Sequence, residues 1–186
     1  MMSKNRLDKT LIFNTSAELA EDVGLENITL LKLAIKLGVK TPSLYNHING
    51  LKDIYVGLAT LAMERLGAVV RDAAIGKSNE EAIIAIANEY RKFAKECPEL
   101  YKAIIKSPKL HDSQVKEAGH IFVNIIYKVL EGYKYSEEDS IHIVRGLRSI
   151  MHGFVSLEAA GFFKLDLDRE ESFKRLVSGF ILSIRK

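Results

Sequence analysis

Cationic and hydrogen-bonding side chains concentrate in one segment of the chain, between residues 29 and 52. Four lysines and no carboxylate occur between Ile28 and Lys52, with hydroxyl, amide and imidazole groups among them. Such groups contact the phosphates of a nucleic acid and orient the protein, whereas contacts to base edges carry sequence information. The residues predicted to contact DNA are Thr29, Lys40, Thr41, Pro42, Ser43, Tyr45, Asn46, His47 and Lys52.

The spacing of Ala34, Gly38 and Leu44 indicates two helices joined by a tight turn. Ala34 is small and lets another helix approach, and Gly38 can adopt the left-handed conformation that ends a helix without a Cβ penalty. Leu44 then points into the core from the second helix. A residue pattern of this kind is typical of a helix-turn-helix. A solvated face of an ordinary helix pair would carry similar charges, but it would not require this spacing.

Capping residues predict where the two helices begin. Thr29 can accept a hydrogen bond from the unpaired amides of the first helix. Thr41 is expected to cap the second, because Pro42 then takes the first helical position, where its missing N–H costs nothing. The second helix would run from Pro42 to about Ile48. A helix this short is not stable alone, so it must pack on its neighbours and display its remaining side chains.

The sequence PSLYNHINGLKDI, from Pro42 to Ile54, resembles a motif of TetR-type transcriptional regulators. One subgroup of that family carries PSLYNHVxGLxDL at this place, and the resemblance extends from about Leu7 to Tyr55. It implies an N-terminal headpiece of three helices, the first from Leu7 to Val23. It also implies a long connecting helix opened by Asp53, and Lys52 as the nearest candidate for the family's phosphate-binding lysine.

Bulk properties exclude several classes of protein. The net charge of the 186-residue chain is only +3, so DNA binding must rest on a local lysine-rich face. The single cysteine, Cys97, excludes an internal disulfide framework and predicts a cytoplasmic protein. No apolar run approaches the roughly 20 residues of a membrane span, and no segment alternates like a strand. We therefore expect an all-α fold, with a DNA-binding domain at 1–52 and an effector-binding and dimerisation domain at 53–186.

Two helices near the C-terminus have the composition of an interface. Ser136 and Asp139 resemble a capping box and start a helix predicted to reach about Phe162, and Asp168 caps the last helix. Small residues on one stripe of a helix allow a second helix to pack closely. The family resemblance implies that these helices pair with their copies in a four-helix homodimer interface, although they could instead form a monomer core. The interface residues expected are Gly146, Ser149, Gly153, Phe173, Leu176, Val177 and Phe180.

Aromatic and soft apolar side chains of the middle helices are candidates for an effector pocket, since small-molecule sites combine such a lining with a few polar groups. Aromatic side chains at helical spacing more often form an ordinary core, and that alternative stays open. Met151-His152-Gly153 resembles a Trp-His-Gly signature in the ligand domain of the same subgroup. The pocket residues expected are Tyr90, Phe93, Tyr101, Phe122, Met151, His152 and Phe154, with Tyr127, Phe162 and Phe163 as further lining.

These features together predict a ligand-responsive repressor that binds a palindromic operator as a homodimer. No cofactor, metal or membrane partner is expected. One alternative is a DNA-binding dimer that responds to no small molecule. Another is a small helical enzyme with a metal held by His111, Asp112 and His120, although no histidine pair has the spacing of a helical zinc motif.

Overall fold

The computed structural model describes residues 7–185 and confirms the all-α class. Within these residues there are nine α-helices and no strand. The helices are α1 Lys9–Val23, α2 Leu30–Leu37, α3 Thr41–Leu44, α4 Leu51–Ala74, α5 Asn79–Glu96, α6 Pro98–Lys106, α7 Ser113–Leu130, α8 Glu137–Ala159 and α9 Arg169–Ile184. None of them is long and apolar enough to cross a membrane.

The helices form two compact units that do not follow a single cut in the sequence. The first unit contains the chain up to Arg65 together with Cys97–Gly119, and the second contains Leu66–Glu96 and the chain from His120 onward. Helices α4 and α7 therefore contribute residues to both units. The functional division expected at residue 52 remains a prediction, because the compact units are defined by packing and not by role.

Helix α1 follows its predicted range closely. Asp8 is its N-cap and accepts a hydrogen bond from the Leu11 amide at 2.8 Å, so the helix begins at Lys9 and not at Leu7. It ends at Val23 as expected, and Gly24 follows with φ +87°. Its inner face, with Ile12 and Ala20 fully buried, packs on α2 and α6.

The predicted caps of the last two helices are confirmed. The Ser136 hydroxyl accepts from the Asp139 amide at 3.0 Å, and the Asp168 carboxylate accepts from the Glu170 amide at 2.8 Å. Helix α8 ends at Ala159, three residues before the expected Phe162. The reason is a left-handed turn at Gly161, with φ +73°, after which the Phe162 amide donates back to the Leu157 carbonyl at 3.0 Å. This hydrogen-bonded C-terminal motif satisfies the last carbonyls of the helix and redirects the chain.

The second unit is organised around a buried arginine that joins α5, α8 and α9. The Arg91 guanidinium donates two hydrogen bonds to Glu158, at 2.9 and 2.7 Å, and lies 2.7 Å from a Glu170 oxygen. The rings of Phe154 and Phe173 each lie 5.1 Å from the guanidinium carbon. A buried cation needs such partners, because an unpaired charge away from water is very costly.

Candidate nucleic-acid interface

Helix α2 has the boundaries that its residues dictate. The Thr29 hydroxyl accepts from the Lys32 amide at 3.2 Å, which confirms Thr29 as the N-cap. At the other end Gly38 has φ +67°, its amide donates to the Ile35 carbonyl, and the Val39 amide donates to the Ala34 carbonyl, both at 3.0 Å. This pair of bonds at a left-handed residue is the Schellman ending, and it turns the chain sharply toward α3.

Helix α3 differs from the prediction at both ends. It begins at Thr41 and its N-cap is Lys40, so the expectation that Thr41 caps this helix is wrong. The Lys40 carbonyl accepts from the Ser43 amide at 2.9 Å, and no side chain caps the helix. Regular helix stops at Leu44 and not near Ile48. The Leu44 carbonyl nevertheless accepts from the amides of His47 and Ile48, at 2.9 and 3.1 Å, so a helical turn continues over these residues.

The burial pattern of this short segment separates a packing side from a display side. Leu44 is fully buried and Ile48 is 2% exposed, so both anchor the segment in the core of the first unit. Tyr45 is 57% exposed and Asn46 beside it is also exposed, whereas His47 is half-buried. Of the side chains predicted to contact DNA, Tyr45 and Asn46 are therefore displayed to solvent on a backbone fixed by two buried aliphatic residues.

The lysines of this region are not equivalent. The Lys36 ammonium lies 2.6 Å from Asp22 and 3.7 Å from Glu18, both on α1, and the Asp22 hydrogen bond raises the pKa of Lys36 against the effect of its desolvation. The Lys32 ammonium donates to the Asn27 carbonyl at 2.9 Å. Lys40 and Lys52 are exposed and form no ion pair with any residue from 7 to 185. Of the four lysines in this region, these two are therefore available to contact a phosphate.

The start of α4 is fixed by one carboxylate. Asp53 accepts hydrogen bonds from the backbone amide and the side-chain amide of Asn49, at 2.9 and 3.0 Å. Helix α4 begins at Leu51, two residues before the position expected. Lys52 thus lies in the first turn of α4, held in place beside the segment that displays Tyr45 and Asn46.

Two carboxylates tie α1 and the residue that follows Gly24 to α6, an arrangement that the sequence analysis does not predict. Glu21 accepts hydrogen bonds from the amides of Glu99 and Leu100, at 3.2 and 3.1 Å, and so caps α6 from α1. Glu99 in return accepts from the Leu25 amide at 2.8 Å. Burial of the Glu99 carboxyl favours its neutral form, but the Leu25 amide and the Lys102 ammonium outweigh this effect and lower its pKa. Glu21 and Glu99 lie so far apart in the chain that no local pattern could have linked them.

The residues proposed for an effector pocket are mostly buried and divided between the two units. Tyr101 belongs to the first unit and the other six to the second. Tyr90 and Phe122 form a ring pair with centroids 5.6 Å apart, and Phe154 packs on Phe163 and Phe173 at 4.9 Å from each.

The other residues predicted to line the pocket differ in burial. Phe93 is 6% exposed and Met151 is fully buried, whereas His152 is half-buried, with a ring nitrogen 3.3 Å from the Ser156 hydroxyl. Of the further lining residues, Phe162 is 68% exposed and Tyr127 half-buried.

The residues expected at a dimer interface fall into two groups. Phe173 and Val177 are 1% and 3% exposed, so the chain itself has already buried them. Gly146 allows α9 to approach α8, because a Cβ there would lie 2.9 Å from a ring carbon of Phe180. Ser149 and Leu176 remain exposed, and the half-buried Gly153 has open space where a Cβ would stand. The surface offered to a partner is therefore narrower than the apolar stripe suggested.

No three histidine, cysteine or acidic side chains cluster as a metal site would require anywhere in the part of the chain that the structure describes. The set of His111, Asp112 and His120 is therefore not brought together. Asp112 instead accepts a hydrogen bond from the Gln114 amide at 2.8 Å, which makes it the cap of α7.

Comparisons with known proteins agree with this geometry. The family model of the tetracyclin repressor-like C-terminal domain matches residues 83–180. An uncharacterised helix-turn-helix-type transcriptional regulator of Bacillus subtilis, YobS, is 34% identical over 177 residues, which cover 94% of this chain and 91% of that relative. A Rhodococcus protein of unknown function has the same fold, with a TM-score of 0.84, 20% identity and full coverage of both chains. So does a variant of TetR from Acinetobacter baumannii AYE in complex with minocycline, with a TM-score of 0.70, 18% identity and 96% of each chain covered.

Proposed function

Because the chain belongs to the TetR family of transcriptional regulators, we propose that it represses transcription by binding a palindromic operator as a homodimer. The chain is accordingly a DNA-binding regulator and not an enzyme. The observation that carries the proposal is the display of Tyr45 and Asn46 beside the buried Leu44. A short segment anchored in this way can enter the major groove with its polar side chains toward the base edges.

A single short segment, such as residues 41–48, is too small to select one site in a genome. Each good bidentate base contact discriminates by only about 1–3 kcal/mol, and non-specific DNA is in vast excess. Two copies that read adjacent half-sites double the contacts and fix the half-site spacing. The exposed parts of α8 and α9, with Ser149, Gly153 and Leu176, are the surface through which we propose that the two copies pair.

We further propose that a small effector releases the operator. The minocycline complex of the Acinetobacter protein supports this idea, since that protein has the same fold. The candidate pocket residues of the second unit include two separate ring contacts, Tyr90 with Phe122 and Phe154 with Phe163 and Phe173. A ligand would have to separate these packed rings, and it can shift DNA binding only by its preference for one arrangement of the two headpieces, typically about 1–3 kcal/mol of coupling.

The decisive experiment is selection of bound duplexes from a random DNA pool by the purified full chain. The proposal expects an enriched sequence with two-fold symmetry and a fixed half-site spacing. Enrichment of a single asymmetric half-site would contradict the dimer, and no enrichment above the starting pool would contradict specific DNA binding. Addition of small molecules to the selected complex then separates an effector-responsive regulator from a constitutive one.

A further inference from the structure

A groove in the second unit is lined by residues that the regulator's proposed machinery does not use. It has a volume of about 750 Å³ and lies between the end of α4, the start of α5 and the last turns of α7. Small-molecule sites in proteins have volumes of roughly 300–1,000 Å³, so the groove is large enough for a ligand. None of the residues proposed for the aromatic effector pocket lines it.

The floor of the groove is aliphatic and partly open to water. Ile75 is 68% exposed and Ile121 is 37% exposed, and Ile125 and Val129 continue the surface along α7. Burial of an aliphatic group gains about 0.8 kcal/mol for each methylene removed from water. The floor thus offers binding energy to an apolar chain without any rearrangement of the core.

Close packing holds the two walls together. A Cβ at Gly67 would lie 2.9 Å from a methyl carbon of Ile121, so this glycine lets α7 approach α4. At the rim a Cβ at Gly132 would lie 2.6 Å from the Asn79 side-chain oxygen. Asn79 itself has φ +49°, in the left-handed region that few non-glycine residues adopt. The groove is therefore a formed feature of the fold and not a gap between loose side chains.

The rim carries an excess of positive charge. Arg71, Lys77 and Lys128 line the groove with one carboxylate, Glu131. Lys77 donates to the Ala73 carbonyl at 2.9 Å, which leaves its charge unneutralised. Within residues 7–185 Arg71 forms one ion pair, with Asp72 at 3.7 Å, which lies outside the groove lining, and Lys128 forms none. Cations placed beside an aliphatic floor suit a ligand that joins an anionic head to an apolar chain.

We propose that this groove binds an amphipathic monoanion of the fatty-carboxylate class, with the chain on Ile75, Ile121 and Ile125 and the carboxylate at Arg71 and Lys128. Binding to this groove requires neither the operator nor the residues proposed for the effector pocket. The groove proposal can therefore be tested independently of the function proposed above.

Calorimetric titration of the full chain with decanoate, below its micellar concentration and without DNA, tests the site. We expect decanoate to bind, and decanol of equal chain length to bind at least about tenfold more weakly, because the alcohol offers no charge to the rim. Equal affinities for the acid and the alcohol would overturn the role of the cations. Absence of heat from decanoate at millimolar concentration, at two temperatures about 20 °C apart, would overturn the site altogether, because burial of the apolar chain changes the heat capacity.

Variants locate the bound molecule. The double change Arg71→Glu with Lys128→Glu should weaken decanoate at least about tenfold, and Ile75→Asp, at a position too exposed to affect folding, should do the same. Lys116→Glu is the matched control, since Lys116 is an exposed lysine of α7 outside the groove. Unchanged decanoate affinity in the first two variants, or an equal loss in the control, would place the ligand elsewhere and overturn the proposal.

Discussion

At the level of single residues, the candidate DNA interface depends on which polar side chains are exposed and not already paired within the protein. Tyr45 and Asn46 are exposed on a segment whose Leu44 is fully buried. The neighbouring lysines are divided, because α1 supplies carboxylates that hold Lys36, whereas Lys40 has no such partner within residues 7–185. Side-chain availability, more than the number of lysines, defines the surface that a phosphate can reach.

The first prediction concerns the displayed side chains. Tyr45→Phe and His47→Ala should each weaken operator binding by about 1–3 kcal/mol, the worth of a good base contact, because each removes a hydrogen-bonding group. The dimer should remain intact. Operator affinity is measured at one fixed salt concentration, with Tyr127→Phe in the second unit as the matched control. Wild-type affinity in both variants would remove these residues from the interface.

The second prediction separates the two kinds of lysine. Lys52→Ala should make the negative slope of log affinity against log salt concentration less steep by about one, since one phosphate neutralised contributes about 0.9 to its magnitude. Lys36→Ala should leave the slope nearly unchanged, because Asp22 and Glu18 already engage that ammonium. Salt titrations of operator binding give both slopes. A larger change in the Lys36 variant than in the Lys52 variant would reverse the assignment.

The third prediction concerns the buried ion pair. The Arg91 hydrogen bonds lower the pKa of the Glu158 carboxyl, although burial works in the opposite direction. A carboxyl with a lowered folded-state pKa stabilises the fold above its ordinary value near 4.5 and loses that contribution as the pH falls through the lowered value. The free energy of unfolding of the wild type should therefore fall below about pH 4.5.

Glu158→Gln tests this contribution by urea denaturation at several pH values. The variant should lose about 3 kcal/mol near neutral pH, at the low end for breaking a buried pair because Glu170 still contacts Arg91. The difference between wild type and variant should shrink as the pH falls from about 5 to 3. A difference that stays constant over that range would show that the charge of Glu158 contributes nothing.

At the scale of elements, helix α6 is an example of a helix positioned by another helix. Pro98 starts it, but its free amides at Glu99 and Leu100 are satisfied by Glu21 of α1. The reciprocal bond from the Leu25 amide to Glu99 closes the link. Helix α6 is thereby fixed against α1, which also packs on α2, the helix that contacts α3.

The fourth prediction tests that link. Glu21→Ala should destabilise the chain by about 0.5–2 kcal/mol, the usual cost of losing a helix cap. It should also speed hydrogen exchange of the Leu100 amide, since that group would then lack its acceptor. Glu18→Ala is the matched control on α1, because Glu18 is exposed and its one ion pair within residues 7–185 is with Lys36, at 3.7 Å. Equal effects of the two substitutions would show that capping of α6 is not the cause.

At the scale of the whole molecule, the surface that remains open on α8 and α9 bears on assembly. Leu176 and Leu182 are 36% and 59% exposed on α9, and a Cβ at Gly179 would meet no atom within 4 Å. Small and aliphatic residues along one stripe suit a close helix-to-helix contact with a second copy. Phe173 and Val177 contribute indirectly, since they fix α9 against the rest of its own unit.

The fifth prediction follows from this surface. The double change Leu176→Glu with Leu182→Glu should convert the dimer to a monomer by placing carboxylates in an apolar contact, where unpaired charge is costly. It should weaken operator binding as a consequence. Ile84→Glu, at a residue of α5 that is 41% exposed, is the control and should leave the dimer intact. Sedimentation velocity distinguishes the two states, and a double variant that sediments as a dimer would move the interface elsewhere.

Features that depend on a few neighbouring residues could be predicted from the sequence. The cap at Thr29, the left-handed Gly38, the buried Leu44 and the cap at Ser136 all follow from chemistry within one turn of chain. The prediction that Thr41 caps α3 was nevertheless wrong, because the Lys40 backbone carbonyl accepts from the Ser43 amide and no side chain caps this helix.

The packing of the helices selects which groups meet across long separations in the chain. It joined Glu21 to α6, engaged Lys36 with Asp22, and formed the open groove lined by Ile75 and Lys128. The physical reason is that a helix cap is satisfied by the residues beside it, whereas the partner of a side chain on a helix face is chosen by how whole helices pack. A residue pattern therefore predicts the helix and its exposed face, and the packing selects what that face touches.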